Sequence, residues 1–136
     1  MMKLIKMSFV LLAMLMTMPA MASEISVIPQ PTKMTLGKGE FVIQADTTIR
    51  VANELTKPIG ELLAKQLAPA MGRTLKVEVG KPTDGAINIV ATKATPLDEV
   101  NRKDETYSLT VTPKRITISA TMTAGAFYGT QTLRQL

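Results

Sequence analysis

Polar and apolar residues alternate at four places in the second half of the chain. Tyr107, Leu109 and Val111 alternate with Ser108, Thr110 and Thr112, and after Pro113-Lys114 the series Ile116, Ile118 and Ala120 alternates with Thr117 and Ser119. A two-residue period predicts a strand, so this stretch predicts two strands joined by a tight turn, each with one apolar and one polar face. Residues 86–91, with Ile87 and Ile89 facing one way, and residues 75–79 predict two more. Further upstream, residues 40–45 and 47–52 predict short strands split by Asp46. Phe41 and Ile43 share one face of the first, and Ile49 and Val51 one face of the second.

A different period runs through residues 56–71. Ile59, Leu62, Leu63, Leu67, Ala70 and Met71 recur at three- and four-residue spacing, which predicts a helix with one apolar stripe. Thr56 is placed to cap it, Pro58 is tolerated in its first turn, and Gly72 fits a left-handed end. A second helix is predicted from near Thr123. Leu136 follows with no Gly, Pro or polar tail, so the pattern predicts that helix and polypeptide continue past it. Strands with one apolar face need a cover, and the helices are the available one. The expected fold is α+β, in two layers: a mainly antiparallel sheet with helices packed on one face.

The connections are polar or turn-forming. Pro29 and Pro31 hold the early chain extended. Gly37-Lys38-Gly39 and residues 80–85 carry turn chemistry, and residues 92–102 are polar, with one helical turn expected around residues 97–100.

The first residues follow another logic. Lys3 and Lys6 precede an apolar run over residues 7–18, then Pro19 and the small-residue pattern Ala20-Met21-Ala22. This predicts a secretory signal peptide over residues 1–22, cleaved after Ala22, too short to span a membrane. The mature chain, residues 23–136, then suits one small exported domain, periplasmic or extracellular, with no membrane association after cleavage. Its formal charge falls from +5 to +3 as Lys3 and Lys6 leave. The remaining basic residues are scattered and not interleaved with aromatics, which argues against a nucleic-acid partner.

The chain contains no Cys and no His. That removes disulfides, the usual zinc ligand sets and most nucleophile–base arrangements. Gly37 and Gly39 lack the spacing of a phosphate loop. Two carboxylate pairs remain, Asp98-Glu99 and Asp104-Glu105. Paired carboxylates serve glycoside hydrolysis, but both pairs lie in the most polar stretch beside Asn101, Arg102 and Lys103. Solvated carboxylates there have no apolar pocket to raise a pKa for acid catalysis. Gly125 and Gly129, one turn apart, imply that something approaches that helix face closely, and close packing is the favoured cause over a ligand. Phe127 and Tyr128 read as core and interface residues in preference to a sugar-stacking platform. No catalytic, cofactor-binding or metal-ligating residue is assigned.

The run from Ala124 through Gly125, Ala126, Phe127, Tyr128, Gly129, Thr130, Gln131, Thr132, Leu133, Arg134 and Gln135 to Leu136 resembles the end of the N-terminal domain of family 20 glycoside hydrolases, the β-N-acetylhexosaminidases. The two alternating strands before it resemble that domain's final hairpin. Ile28-Pro29-Gln30-Pro31, followed by Gly39-Glu40-Phe41, is similar to its opening. The resemblance implies a small zincin-like domain without the protease's metal motif, leading into a catalytic (β/α)8 barrel of the same polypeptide. That barrel is the implied partner, and N-acetylhexosamine-containing glycans are its implied substrates. Catalysis in the family is substrate-assisted and retaining: the substrate's 2-acetamido group attacks, an Asp orients it, and the adjacent Glu is the general acid. That Asp-Glu follows a Gly-Gly on a barrel strand, a context neither Asp98-Glu99 nor Asp104-Glu105 has.

The expected function is that of a non-catalytic leading domain, inactive by itself, of an exported β-N-acetylhexosaminidase truncated before its barrel. The alternatives are a stand-alone exported glycan-binding or protein-interaction domain, and the leading domain of another glycosidase such as an O-GlcNAc hydrolase.

Overall fold

The computed structural model describes residues 25–95 and 104–136. The elements run β1 (Thr48–Val51), a 3-10 turn (Glu54–Thr56), α1 (Lys57–Met71), β2 (Val77–Val79), β3 (Ala86–Ala91), β4 (Tyr107–Val111), β5 (Ile116–Ala120) and α2 (Thr123–Leu133). The five strands form one sheet in the order β2-β1-β3-β5-β4.

The α+β two-layer reading holds, but the strand directions differ from expectation. β1 pairs in parallel with both β2 and β3, and β3 pairs in parallel with β5; β4–β5 is the antiparallel pair. Alternation reports which face a side chain takes and carries no information on strand direction. Direction is set by the connections. α1 carries the chain from the end of β1 back to the start of β2, which forces a parallel pair, whereas Thr112–Arg115 closes a hairpin through Thr112 N to Arg115 O at 3.0 Å.

The register sorts side chains cleanly. Ile49, Val51, Ile87, Ile89, Ile116 and Ile118 point to one face and are at most 4% exposed. Ile59, Leu63 and Ala64 of α1 and Ala126 of α2 complete the core on that side. α1 lies very close: a β-carbon on Gly60 would stand 2.8 Å from Val51 Cγ1 and 3.0 Å from Val77 Cγ1. The opposite face carries Thr48, Arg50, Glu78, Ser108, Thr110, Thr117 and Ser119.

Several local expectations need correction. Residues 40–45 form no strand. Phe41 and Ile43 pack against the core from an unpaired segment, which Arg73 anchors by donating to the Gln44 and Ala45 carbonyls. Thr56 does not cap α1. The capping side chain is Asn53, whose Oδ1 accepts from Thr56 N at 3.0 Å and so starts the preceding 3-10 turn. Gly72 does end α1 in the left-handed region, at φ 66°. Leu62 and Ala70, assigned to the buried stripe, lie exposed on α1. α2 closes at Leu133, and the bonds Gln135 N to Thr132 O (3.0 Å) and Leu136 N to Leu133 O (3.3 Å) tighten the chain after it. The helical turn expected around residues 97–100 lies outside the described residues, as do residues 1–22.

Candidate functional site

α2 lies very close on the β4–β5 hairpin. A β-carbon on Gly125 would collide with the Thr106 carbonyl oxygen and stand 3.1 Å from Ala120 Cβ; one on Gly129 would collide with Ile118 Cγ2. The two glycines one turn apart therefore bring α2 down onto the hairpin, which is the close packing anticipated for them. The Tyr107 hydroxyl, on β4, is hydrogen-bonded to Thr132 Oγ1 of α2. At the other end of α2, Thr123 Oγ1 accepts from Thr95 N (2.8 Å) and donates to Thr95 O (2.7 Å). One end of the helix is thus tied to β4 and the other to the segment that follows β3.

Phe127 and Tyr128 meet edge to face, with ring centroids 5.5 Å apart and planes at 69°. Rings so inclined offer no flat two-ring surface for a sugar. Phe127 packs partly into the core, as expected, and Tyr128 is exposed.

Of the candidate carboxylates, Asp98-Glu99 lies outside the described residues. Asp104 accepts from both the hydroxyl and the backbone N–H of Thr106. These bonds, the hydroxyl's foremost, hold its carboxyl below the ordinary Asp value. A general acid in glycoside hydrolysis needs the opposite shift. Glu105 is exposed and has no bonded partner among the described residues.

Sequence reasoning missed two polar clusters on the sheet's outer face. Glu78 of β2 takes Lys76 Nζ on Oε1 and Arg50 NH1 of β1 on Oε2, each at 2.7 Å. Its pKa is lowered, first by the Lys76 hydrogen bond and then by that of Arg50. The pairing of alternating charged positions on neighbouring strands was a readable signal, but it required the β1–β2 register. Arg50 also reaches Lys81 O, at 3.4 Å, so it braces the segment that crosses from β2 to β3.

Asn88 is fully buried in the middle of β3. Its Oδ1 accepts from Thr83 N (2.9 Å), and its Nδ2 donates to Thr83 O (2.9 Å) and Ile116 O (3.1 Å). No sequence signal marks it, because the burial comes from residues 80–85 folding over that point. Both clusters are struts: their polar atoms are satisfied by the protein itself.

An open groove lies beside the hairpin turn, lined by Asp84, Thr112, Pro113, Lys114 and Arg115, with Asp84 Oδ1 3.6 Å from Arg115 Nε. All but Thr112 are exposed, and the groove has no buried polar group to orient a ligand. Among the described residues no three acidic side chains converge to hold a metal ion, and no helix is long and apolar enough to cross a membrane.

The fold and its surfaces thus define a small two-layer α+β module whose described polar clusters serve its own structure. Residues 24–136 match the family model of glycosyl hydrolase family 20, domain 2, and the chain belongs to that family. It is 38% identical over 113 residues to a beta-hexosaminidase of Porphyromonas gingivalis, an alignment covering 82% of this chain and 14% of that one. It superposes on the N-acetyl-beta-hexosaminidase of Streptomyces plicatus, solved in complex with Thio-NAglucal, with TM-score 0.67 and 35% identity, covering 81% of this chain and 21% of that one. The chitobiase of Flavobacterium johnsoniae shares the fold at TM-score 0.58 and 23% identity, covering 79% and 17% respectively. The chain therefore spans a small fraction of the length of the relatives it matches.

Proposed function

We propose that residues 23–136 are the non-catalytic leading domain of an exported β-N-acetylhexosaminidase. In this reading a (β/α)8 barrel of the same polypeptide removes terminal N-acetylhexosamine from glycans by the substrate-assisted retaining route. The carrying observation is the family match over residues 24–136, joined to 38% identity with a beta-hexosaminidase. The same matches favour a hexosaminidase over a stand-alone binding module or an O-GlcNAc hydrolase. The chemistry of the chain agrees: it has no His or Cys, and Thr106 lowers the Asp104 pKa, the opposite of what a general acid needs. Export is supported by the sequence pattern of residues 1–22.

The test is expression of the complete gene product with a chromogenic N-acetylglucosaminide as substrate. Turnover, together with a secreted protein whose first residue is Ser23, is the expected result. A complete gene product that is secreted but does not cleave that substrate contradicts the enzymatic half, and retention of residues 1–22 in the cytoplasm contradicts the export half.

A further inference from the structure

The two edges of the sheet are finished differently. β2, at one edge, is three residues long and carries Glu78, which takes both Lys76 and Arg50. Short, charged edges resist pairing with another chain. β4, at the other edge, has five residues and no charge, Pro or Gly. The hairpin fixes where its main chain points. Thr112 N donates to Arg115 O, so Thr112 turns its amide toward β5. That direction alternates along an antiparallel ladder. Ser108 and Thr110 therefore also bond to β5, while Tyr107, Leu109 and Val111 turn N–H and C=O outward. Among the described residues no other segment bonds to those outward groups. Charge is placed at both ends of this edge: Asp104 and Glu105 precede β4, and Lys114 and Arg115 follow it. Glu105 and Lys114 are exposed, and neither has an ion-pair partner among the described residues.

From this we infer that two copies of the chain join along the β4 edge, antiparallel, about a two-fold axis between their Leu109 residues. The two five-stranded sheets then run on as one, with both pairs of helices on the same side. Leu109 of each copy bonds to Leu109 of the other, and Tyr107 to Val111 of the second copy, through the outward main-chain groups. On the outer face Ser108 stands opposite Thr110, so no like charges meet within the strands. The same register carried past the strand ends sets Asp104 of one copy opposite Lys114 of the other, with Glu105 beside it, and does so twice. That complementarity selects the occupant. An edge that is acidic before the strand and basic after it matches its own antiparallel copy, whereas a parallel copy would set like charges together. The pairing is independent of the hexosaminidase reading and goes beyond it.

The test is sedimentation velocity of the complete gene product across a range of concentrations, with melting temperature confirming that each variant folds. A dimer that dissociates on dilution, and more readily in high salt, is expected of the parent protein. Lys114→Glu sets carboxylates against each other at two places and should weaken that dimer about tenfold. Glu105→Lys should weaken it too, by opposing Lys114. The double variant Glu105→Lys/Lys114→Glu should regain most of the loss, which a merely damaged surface would not do. Val111→Pro removes one outward N–H per copy at an exposed position and leaves the β4–β5 ladder intact, so it should weaken the dimer in folded protein. A parent protein that stays monomeric at every concentration overturns the inference. So does a dimer whose strength is the same in Lys114→Glu, or a double variant no tighter than the single ones. If Val111→Pro melts early, the charge variants decide the matter alone. Hydrolysis of the chromogenic substrate, measured on the same samples, reports on the hexosaminidase reading separately.

Discussion

Gly129 of α2 lies directly over Ile118 of β5, with no room between them for a β-carbon. Such a carbon would also stand 3.2 Å from the Tyr107 ring. Gly129→Ala gains about 1 kcal/mol of helix propensity, yet forcing a methyl into a filled core costs about 1–3 kcal/mol. The overlap meets a fully buried isoleucine flanked by strands, so the cost is expected to win. Urea unfolding should show a lower midpoint for Gly129→Ala with an unchanged m-value.

Asn88 is the point where the β2–β3 crossing is fastened to the sheet. Asn88→Leu removes the side-chain partner of Thr83 N, Thr83 O and Ile116 O, and the loss of each such bond costs about 0.5–1.5 kcal/mol. Reduced stability, with faster amide exchange at Thr83 than at Ile89, is the expected outcome by hydrogen-exchange NMR.

Gln135 grips the early chain from the far end of α2: Ile28 N donates to its Oε1 at 2.8 Å, and its Nε2 donates to Ile28 O at 3.0 Å. These bonds are exposed, so Gln135→Ala should lower global stability by no more than about 1 kcal/mol. Local effects should be larger. Limited proteolysis is expected to cut within residues 25–31 sooner in the variant than in the parent chain.

Glu78 predicts the direction of the acid response. Its folded pKa is lowered below the ordinary 4.5 by Lys76 and Arg50. A depressed carboxylate contributes stability above its unfolded pKa, and loses that contribution as pH falls through the folded value. Melting temperature should therefore decline below about pH 4.5, and Glu78→Gln should flatten that limb. Because the side chains are partly solvent-exposed, added salt should flatten it too.

Some of this structure was legible in the residues. β4 and β5 occupy the alternating segments because alternation is what a half-buried strand requires, and Gly72 ends α1 because a left-handed residue there favours glycine. Gly125 and Gly129 reported a close approach without saying to what. Residues 40–45 alternate as a strand does, yet they stay unpaired, since Phe41 and Ile43 find their cover against the core without a ladder. Parallel pairing was hidden because it is set by where α1 and residues 80–85 carry the chain. Asn88 and the Arg50–Glu78 pair were hidden for the same reason: both depend on register and crossover, which no single segment encodes.

The proposed reading has this domain carry no hydrolytic centre of its own. Purified residues 23–136 incubated with a chromogenic N-acetylglucosaminide test it most directly. No release of chromophore above the buffer rate is expected at any protein concentration. Release that rises in proportion to the concentration of this chain, and persists through a second purification step, would contradict it.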